Sequence, residues 1–323
     1  MHRRTFIGMV AAGVVGTASS ARSQQPVKGR RLGILTAGTI GSEWAVFFQT
    51  LRELGWSEQE NLIIERRAAG GKAELVPGLA AELAYLKPDV IMANGAVASL
   101  AAKEATSTIP IVSITGDPVR IGLVGSMSRP GGNITGTSTV APELAAKRLE
   151  ILRELLPTTK RVGELVDPAN PYMKVIRPED ERAYRSLGMQ PIFVDVAAAS
   201  QLERVIADLA RMKADALIVR GDPLFVANRD RIANLALKHA LPSMAEGRGF
   251  VSAGCLISYA PTFGALGRAS AILVDKILKG ANPGDLPIQQ PTKFELAINL
   301  QTAKALGVTI PQALLLRADE VIQ

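Results

Sequence analysis

Cysteine and histidine are nearly absent from these 323 residues, and aromatic side chains make up only 4%. Cys255 is the sole cysteine, so no disulfide can close within the chain. A single cysteine beside a strand reads first as a small core residue. The only histidines are His2 and His239. A histidine-centred triad or a zinc site of several imidazoles therefore has almost nothing to draw on, and His239 lies near a helix end. The chain has no G-x-S-x-G elbow, no G-x-x-x-x-G-K-[ST] phosphate loop and no G-x-G-x-x-G dinucleotide turn. Glu65 would be the ribose-binding acid of a dinucleotide site, but it sits inside a strand pattern beside Arg66 and Arg67. No cofactor and no metal is expected. No basic cluster with interleaved aromatics is present, which argues against a nucleic-acid partner. No apolar run reaches the ~20 residues that a membrane-spanning helix needs.

The N-terminus has no acidic residue before Glu43. Arg3 and Arg4 precede an apolar run from Phe6 to Ala18, and small residues follow. A charged start, a short apolar stretch and a small-residue end make an export signal. Arg-Arg-Thr-Phe-Ile resembles the twin-arginine type. Residues 1–23 are read as a signal cleaved after Ser23, which places the mature protein in the periplasm. No cysteine follows the apolar run, which argues against a lipoprotein. Loss of Arg3, Arg4 and Arg22 lowers the net charge from +7 to +4.

Apolar strands alternate with amphipathic helices along the rest of the chain. "RLGILT", "NLIIERRA", "DVIMANG" and "IPIVSIT" read as strands, with helices between them at 73–86 and 96–106. The second half repeats the plan. "RVGELVD" matches "RLGILTA", Leu187-Gly188 matches Leu54-Gly55, and "LARMKADALIVRGD" matches "LAYLKPDVIMANGA" 126 residues earlier. "LPSMAEG" in turn matches "IPIVSIT". Four matches in one order indicate two α/β lobes of like topology, each a Rossmann-like parallel sheet covered on both faces. Open parallel sheets bind ligands at the carboxyl ends of their strands. Two such edges facing each other would make a cleft. Toward the C-terminus, "CLISYA" and "KFELAINL" read as strands, and "TAKALGV" and "PQALLLRADEVI" as helices.

Two stretches then carry a family resemblance. "EATSTIPIVSITGDPVRIGLVGSMSRPGGNITGTSTVAPELAAKRLEILRELLP", from Glu104, and "LPIQQPTKFELAINLQTAKALGVTIPQALLLRADEVI", from Leu286, resemble ABC-transporter substrate-binding proteins of the tryptophan/tyrosine-binding type. The resemblance covers residues 30–323. It implies a type I periplasmic binding-protein fold whose hinged lobes close on a small solute, here an amino acid or related carboxylate, and pass it to ABC permease subunits in the membrane. On this reading the N-terminal lobe is 30–139 plus 261–281 and the C-terminal lobe 140–260 plus 282–323. The protein is a monomer and not an enzyme. A receptor that presents its solute to a membrane sensor, or an exported α/β enzyme, are the rival readings. A sugar-repressor-like regulator is rejected, because the N-terminus is an export label and not a DNA-binding helix pair.

The candidate ligand contacts are the strand ends. In the first lobe these are Thr36, Gly38 and Thr39, then Asn94 and Gly95, then Thr115 and Asp117. In the second they are Asp167 and Asn170, Asp222, and Glu246, with Tyr259 at the end of "CLISYA". Each has a structural alternative: turn chemistry for Gly38, an N-cap for Asn94, an Asp-Pro helix start for Asp117 and core packing for Tyr259. Trp44 is as well suited to a core as to a stacking platform. The glycines of "RPGGNITG" are read as turn-formers. The chain departs from the family pattern at Asp167, Arg220 and Glu246, all at the expected cleft, so its ligand need not be the aromatic amino acid of the family name.

Overall fold

The computed structural model describes residues 29–58, 60–139 and 143–323, so the expected export signal lies outside the described residues. In chain order the elements are β1 (Arg30–Thr36), α1 (Ala45–Glu53), β2 (Leu62–Ala68), α2 (Val76–Tyr85), β3 (Val90–Asn94), α3 (Ala96–Ala105), β4 (Ile111–Thr115) and β5 (Ile134–Ser138). There follow α4 (Glu143–Leu155), β6 (Arg161–Val166), α5 (Pro171–Ser186), β7 (Gln190–Asp195), α6 (Leu202–Arg211), β8 (Ala216–Val219), α7 (Pro223–Ala227), α8 (Arg229–Lys238), β9 (Ser243–Ala245) and α9 (Arg248–Ser252). The chain ends with β10 (Ile257–Pro261), α10 (Phe263–Leu278), β11 (Phe294–Asn299), α11 (Leu300–Leu306), α12 (Gln312–Arg317) and β12 (Glu320–Ile322).

These strands form two sheets. One has the order β2-β1-β3-β4-β5 and is parallel throughout. The other has the order β12-β11-β10-β9-β8-β6-β7, and within it only β10 and β11 run antiparallel. Apart from the edge strand β2, the apolar runs that read as strands in the first sheet are buried on both faces. Leu32, Ile34, Val90 and Met92 pack under α1 and α10, while Leu35, Ile91, Ala93 and Ile111 pack under α2 and α3. In the second sheet Leu165, Leu217 and Val219 meet α6 and α8, and Val162, Ile218 and Ile298 meet α4, α11 and α12. Each fully buried aliphatic side chain contributes roughly 1.5–3 kcal/mol by leaving water.

The chain passes between the sheets after β5, between β10 and α10, and again before β11. Residues 284–289 still belong to the edge of the first sheet: Thr135 Oγ1 donates to Leu286 O (2.7 Å), Gln289 N to Gly136 O (2.9 Å) and Ser138 N to Gln289 O (2.8 Å). The third passage therefore lies at 290–293, later than the sequence reading placed it. The end of "PQALLLRADEVI" is also not helix: α12 stops at Arg317, and Glu320–Ile322 pairs in parallel with β11. Gly131 and Gly132 do form a turn, with φ of 70° and 63°, whereas Gly136 lies within β5. Cys255 is fully buried, and burial pushes its thiol up to about 12. Trp44 is core, edge-on to Phe47. No described helix is long and apolar enough to cross a membrane.

Candidate functional site

The carboxyl ends of both sheets face one another across a cavity of about 130 Å³. The facing arrangement follows from register. Thr36 is paired with Asn94, and Asn94 with Ile114, so the ends of β1, β3 and β4 lie side by side. On the opposite wall β6, β8 and β9 end together, with Val219 paired to Ala245.

Thr36, Gly38, Thr39, Asn94, Gly95 and Thr115 line this cavity from the first sheet, and Asp167, Asn170, Asp222 and Glu246 from the second. Thr36 Oγ1 is already engaged, accepting from Gly38 N (3.1 Å). Gly95 holds a φ of 94° as it turns the chain from β3 into α3, a conformation that suits glycine. No side chain caps α3, so its first N–H groups, beginning at Ala96, are directed at the cavity wall. Beside them is Thr115, 3% exposed, whose Oγ1 has no hydrogen-bond partner. A buried hydroxyl without a partner is costly, so it marks a place where a ligand oxygen would be welcome.

The second wall is built by two helix starts of the same design. Asn170-Pro171 opens α5 and Asp222-Pro223 opens α7, each with an acceptor side chain at the N-cap and proline in the first turn. Asn170 accepts from Tyr172 N (3.0 Å) and donates to Asp222 Oδ2 (2.9 Å). Asp222 Oδ1 accepts from Leu224 N (2.9 Å), and Asp167 Oδ1 from Ala169 N (2.8 Å). The carboxyls of Asp167 and Asp222 lie close enough to act on each other. Burial first, and then the Asp167 charge, push Asp222 up to about 7; burial also raises Asp167.

Two predicted residues are not brought to this cavity. Asp117 accepts from Val119 N and Arg120 N (3.0 and 3.1 Å), starting a turn rather than a helix, and lines a second chamber of about 110 Å³. Tyr259 points into the core, its ring 5.9 Å from that of Phe294; only its carbonyl serves the cleft, accepting from Arg148 Nε (2.8 Å). Conversely, Tyr172 was missed, although it lies at the first turn of a helix that begins just after a strand end. Thr139, Tyr172, Arg220 and Glu246 line both chambers, which are therefore continuous.

Behind Tyr172 lies a buried ion network. Arg220 reaches Glu164 through Nε (2.6 Å), Asp180 through Nη2 (2.5 Å) and Glu246 through Nη1 (3.4 Å). Arg148 Nη1 is 2.6 Å from Glu246, and Tyr184 donates its hydroxyl to Glu164 (2.6 Å). Burial would raise Glu246, but Arg148 and Arg220 outweigh it and hold the carboxyl below its usual range. Asp180 is pushed up to about 7, by burial first and, against Arg220, by Glu164 and Glu246.

The two walls also touch. Arg120 pairs with Glu179 (2.6 Å) and donates to Val175 O (3.2 Å) across the cleft. Pro223 packs on Gly38 and Gly95, where an added Cβ would lie 3.2 and 3.3 Å from its ring. The lobes are thus closed over the cavity.

A closed cavity between two sheet edges is what a solute receptor needs, and residues 43–322 match the family described as ABC transporter substrate binding protein. The chain belongs to that family. It is a solute-binding protein of the ABC-transporter type, not an enzyme, with the type I periplasmic binding-protein fold. It is 28% identical over 263 residues, 81% of this chain and 75% of the relative, to a tyrosine-binding protein of Clostridioides difficile. Among solved structures it is similar to a conserved domain protein of Vibrio cholerae, with a TM-score of 0.85 and 24% identity. It is also similar to an ABC domain of Streptococcus pneumonia in complex with L-Trp, with a TM-score of 0.82 and 23% identity. Both matches cover 91% of this chain and 100% of the other.

Proposed function

We propose that this receptor captures an amino acid or related carboxylate between its lobes and delivers it to an ABC importer. The unpartnered Thr115 hydroxyl beside the uncapped start of α3 carries this reading, because together they make a neutral, donor-rich seat for a carboxylate. The ligand-binding set is Thr36, Gly38, Thr39, Asn94, Gly95, Thr115, Asp167, Asn170, Asp222 and Glu246, with Tyr172 added and Tyr259 removed. Asp117 stands at the second chamber. The lobes comprise 30–139 with 261–289, and 143–260 with 294–323. Residues 1–23 direct export and are cleaved, and the mature protein works in the periplasm as a monomer. Homologues named for tyrosine binding and crystallised with L-Trp support the amino-acid class.

A thermal-shift screen against amino acids, aromatic carboxylates and sugars tests this. A ligand at ~100 times its Kd adds about 2.7 kcal/mol of stability. Thr115→Val should abolish the shift caused by any amino-acid hit while leaving the ligand-free melting temperature unchanged or slightly higher, since it removes an unsatisfied buried group. Hits confined to sugars, or a hit indifferent to Thr115→Val, would refute the carboxylate seat. Uptake of the hit by cells should require both this protein and a permease.

A further inference from the structure

The chain is basic overall, at +7, yet the cleft holds more acid than base. Three arginines stand at it, and all are already engaged. Arg120 holds Glu179, Arg148 holds Glu246 and the Tyr259 carbonyl, and Arg220 spends its three nitrogens on Glu164, Asp180 and Glu246. None is left to meet a ligand carboxylate. The carboxylates are in excess. The buried network sets Glu164, Asp180 and Glu246 against only Arg148 and Arg220. In the first chamber Asp167 and Asp222 face each other with Asn170 and backbone N–H groups as their donors, and among the described residues neither pairs with an arginine or lysine. Buried like charges of this kind are stable only with a proton or a cation between them.

The excess acid falls at two places, one in each chamber, and the chambers join beside Tyr172. The carboxylate seat at Thr115 and α3 opens into the first. One face of the Tyr172 ring is packed on Gly116, so that face is not free to stack on an indole or a phenol.

Resting on the amino-acid reading above, we infer that the ligand is a basic amino acid: its carboxylate lies at Thr115 and α3, its α-ammonium at Asp167 and Asp222, and its distal cation in the second chamber against Asp180 and Glu246. Below about pH 7, protons held by the carboxyls take the place of the two cations in the ligand-free protein, and ligand entry displaces them. A zwitterion with an aromatic side chain would satisfy the first chamber and leave the second charged. A bare carboxylate would satisfy neither.

Isothermal titration of the full chain, unfolded and refolded to strip any co-purified ligand, tests this at pH 7.5. The probes are lysine, ornithine, arginine, norleucine, tyrosine, tryptophan, glutamate and benzoate. At least one of lysine, ornithine and arginine should bind 10-fold or more tighter than norleucine, tyrosine and tryptophan, and glutamate and benzoate should not bind. Asp180→Asn should lower the affinity for that basic amino acid at least 10-fold and narrow its advantage over norleucine. The comparison of lysine with norleucine differs only in the distal ammonium and needs no variant. If norleucine matches lysine, or tyrosine or tryptophan binds tightest, the inference is overturned while the solute-receptor reading stands. If none of the amino acids binds, both fail.

Discussion

Across the cleft, the ring of Tyr172 lies flat against Gly116: three of its ring carbons are each 2.9 Å from where a Cβ on Gly116 would be. Tyr172 belongs to one lobe and Gly116 to the other, so a side chain at position 116 obstructs closure rather than folding. Gly116→Ala should leave the ligand-free melting temperature nearly unchanged. Overpacking of this kind costs ~1–3 kcal/mol, so ligand affinity should fall about 10-fold or more. Small-angle scattering with saturating ligand checks the cause: the variant should stay more expanded than the parent.

The same logic bounds the Arg120–Glu179 pair, which also spans the cleft but is more than a third exposed at both ends. Such a pair contributes ~0.2–1 kcal/mol and is screened by salt. Glu179→Ala should weaken ligand binding by less than about 5-fold, with the difference from the parent vanishing in 1 M salt. A larger loss would show that Glu179 does more than bridge the lobes.

Much of this cleft was legible in the sequence because strand ends are. Thr36, Asn94, Thr115, Asp167 and Asp222 follow directly from locating β1, β3, β4, β6 and β8 and from the rule that parallel sheets bind at their carboxyl edge. Tyr259 failed because strand alternation turns its ring toward the α4 and α12 side, a parity set by how β10 pairs with β9 and β11. Tyr172 was hidden because its contact, Gly116, lies on the other lobe. The ion network draws Glu164, Asp180, Arg220, Glu246 and Arg148 from five elements or loops. No local pattern announces such a convergence. The terminal strand β12 was mistaken for helix because three residues are too few to show a period of two.

Proton linkage gives a prediction with a definite sign. Asp180 and Asp222 each titrate at about 7 in the folded protein, against ~3.9 for an unfolded aspartate. Between those values the folded state binds more protons, so the ligand-free protein should lose stability as pH rises from about 5 to about 8. Asp222 faces Asp167 and Asn170; Asp180 faces Arg220, Glu164, Glu246 and Arg148. Glu246, held low, contributes the opposite trend only at lower pH, where it would protonate. Urea titrations across this range should show the decline, and Asp222→Asn should flatten part of it. A stability that rises from pH 5 to 8 would rule out protonated carboxyls at these positions.

Arg220 organises the network, and its loss should be felt by the fold before the ligand. Its side chain is 12% exposed and its partners Glu164 and Asp180 are 1% and 4% exposed. Removing the guanidinium strands both carboxylates in a wet-excluded interior, and breaking a buried pair by deleting one partner costs ~3–5 kcal/mol. Arg220→Met keeps the aliphatic bulk, so the loss it causes reports charge and hydrogen bonding rather than a cavity. Arg220 restrains Asp180 at about 7, so without it Asp180 titrates higher still. The drop in urea midpoint should therefore be larger at pH 9 than at pH 6.5, where Asp180 keeps its proton and needs no guanidinium. A midpoint shift of the same size at both pH values would mean that packing, not the stranded charge, sets the cost. The double variant Arg220→Met/Asp180→Asn separates these further: it should be more stable than Arg220→Met alone, because one of the two orphaned charges is gone.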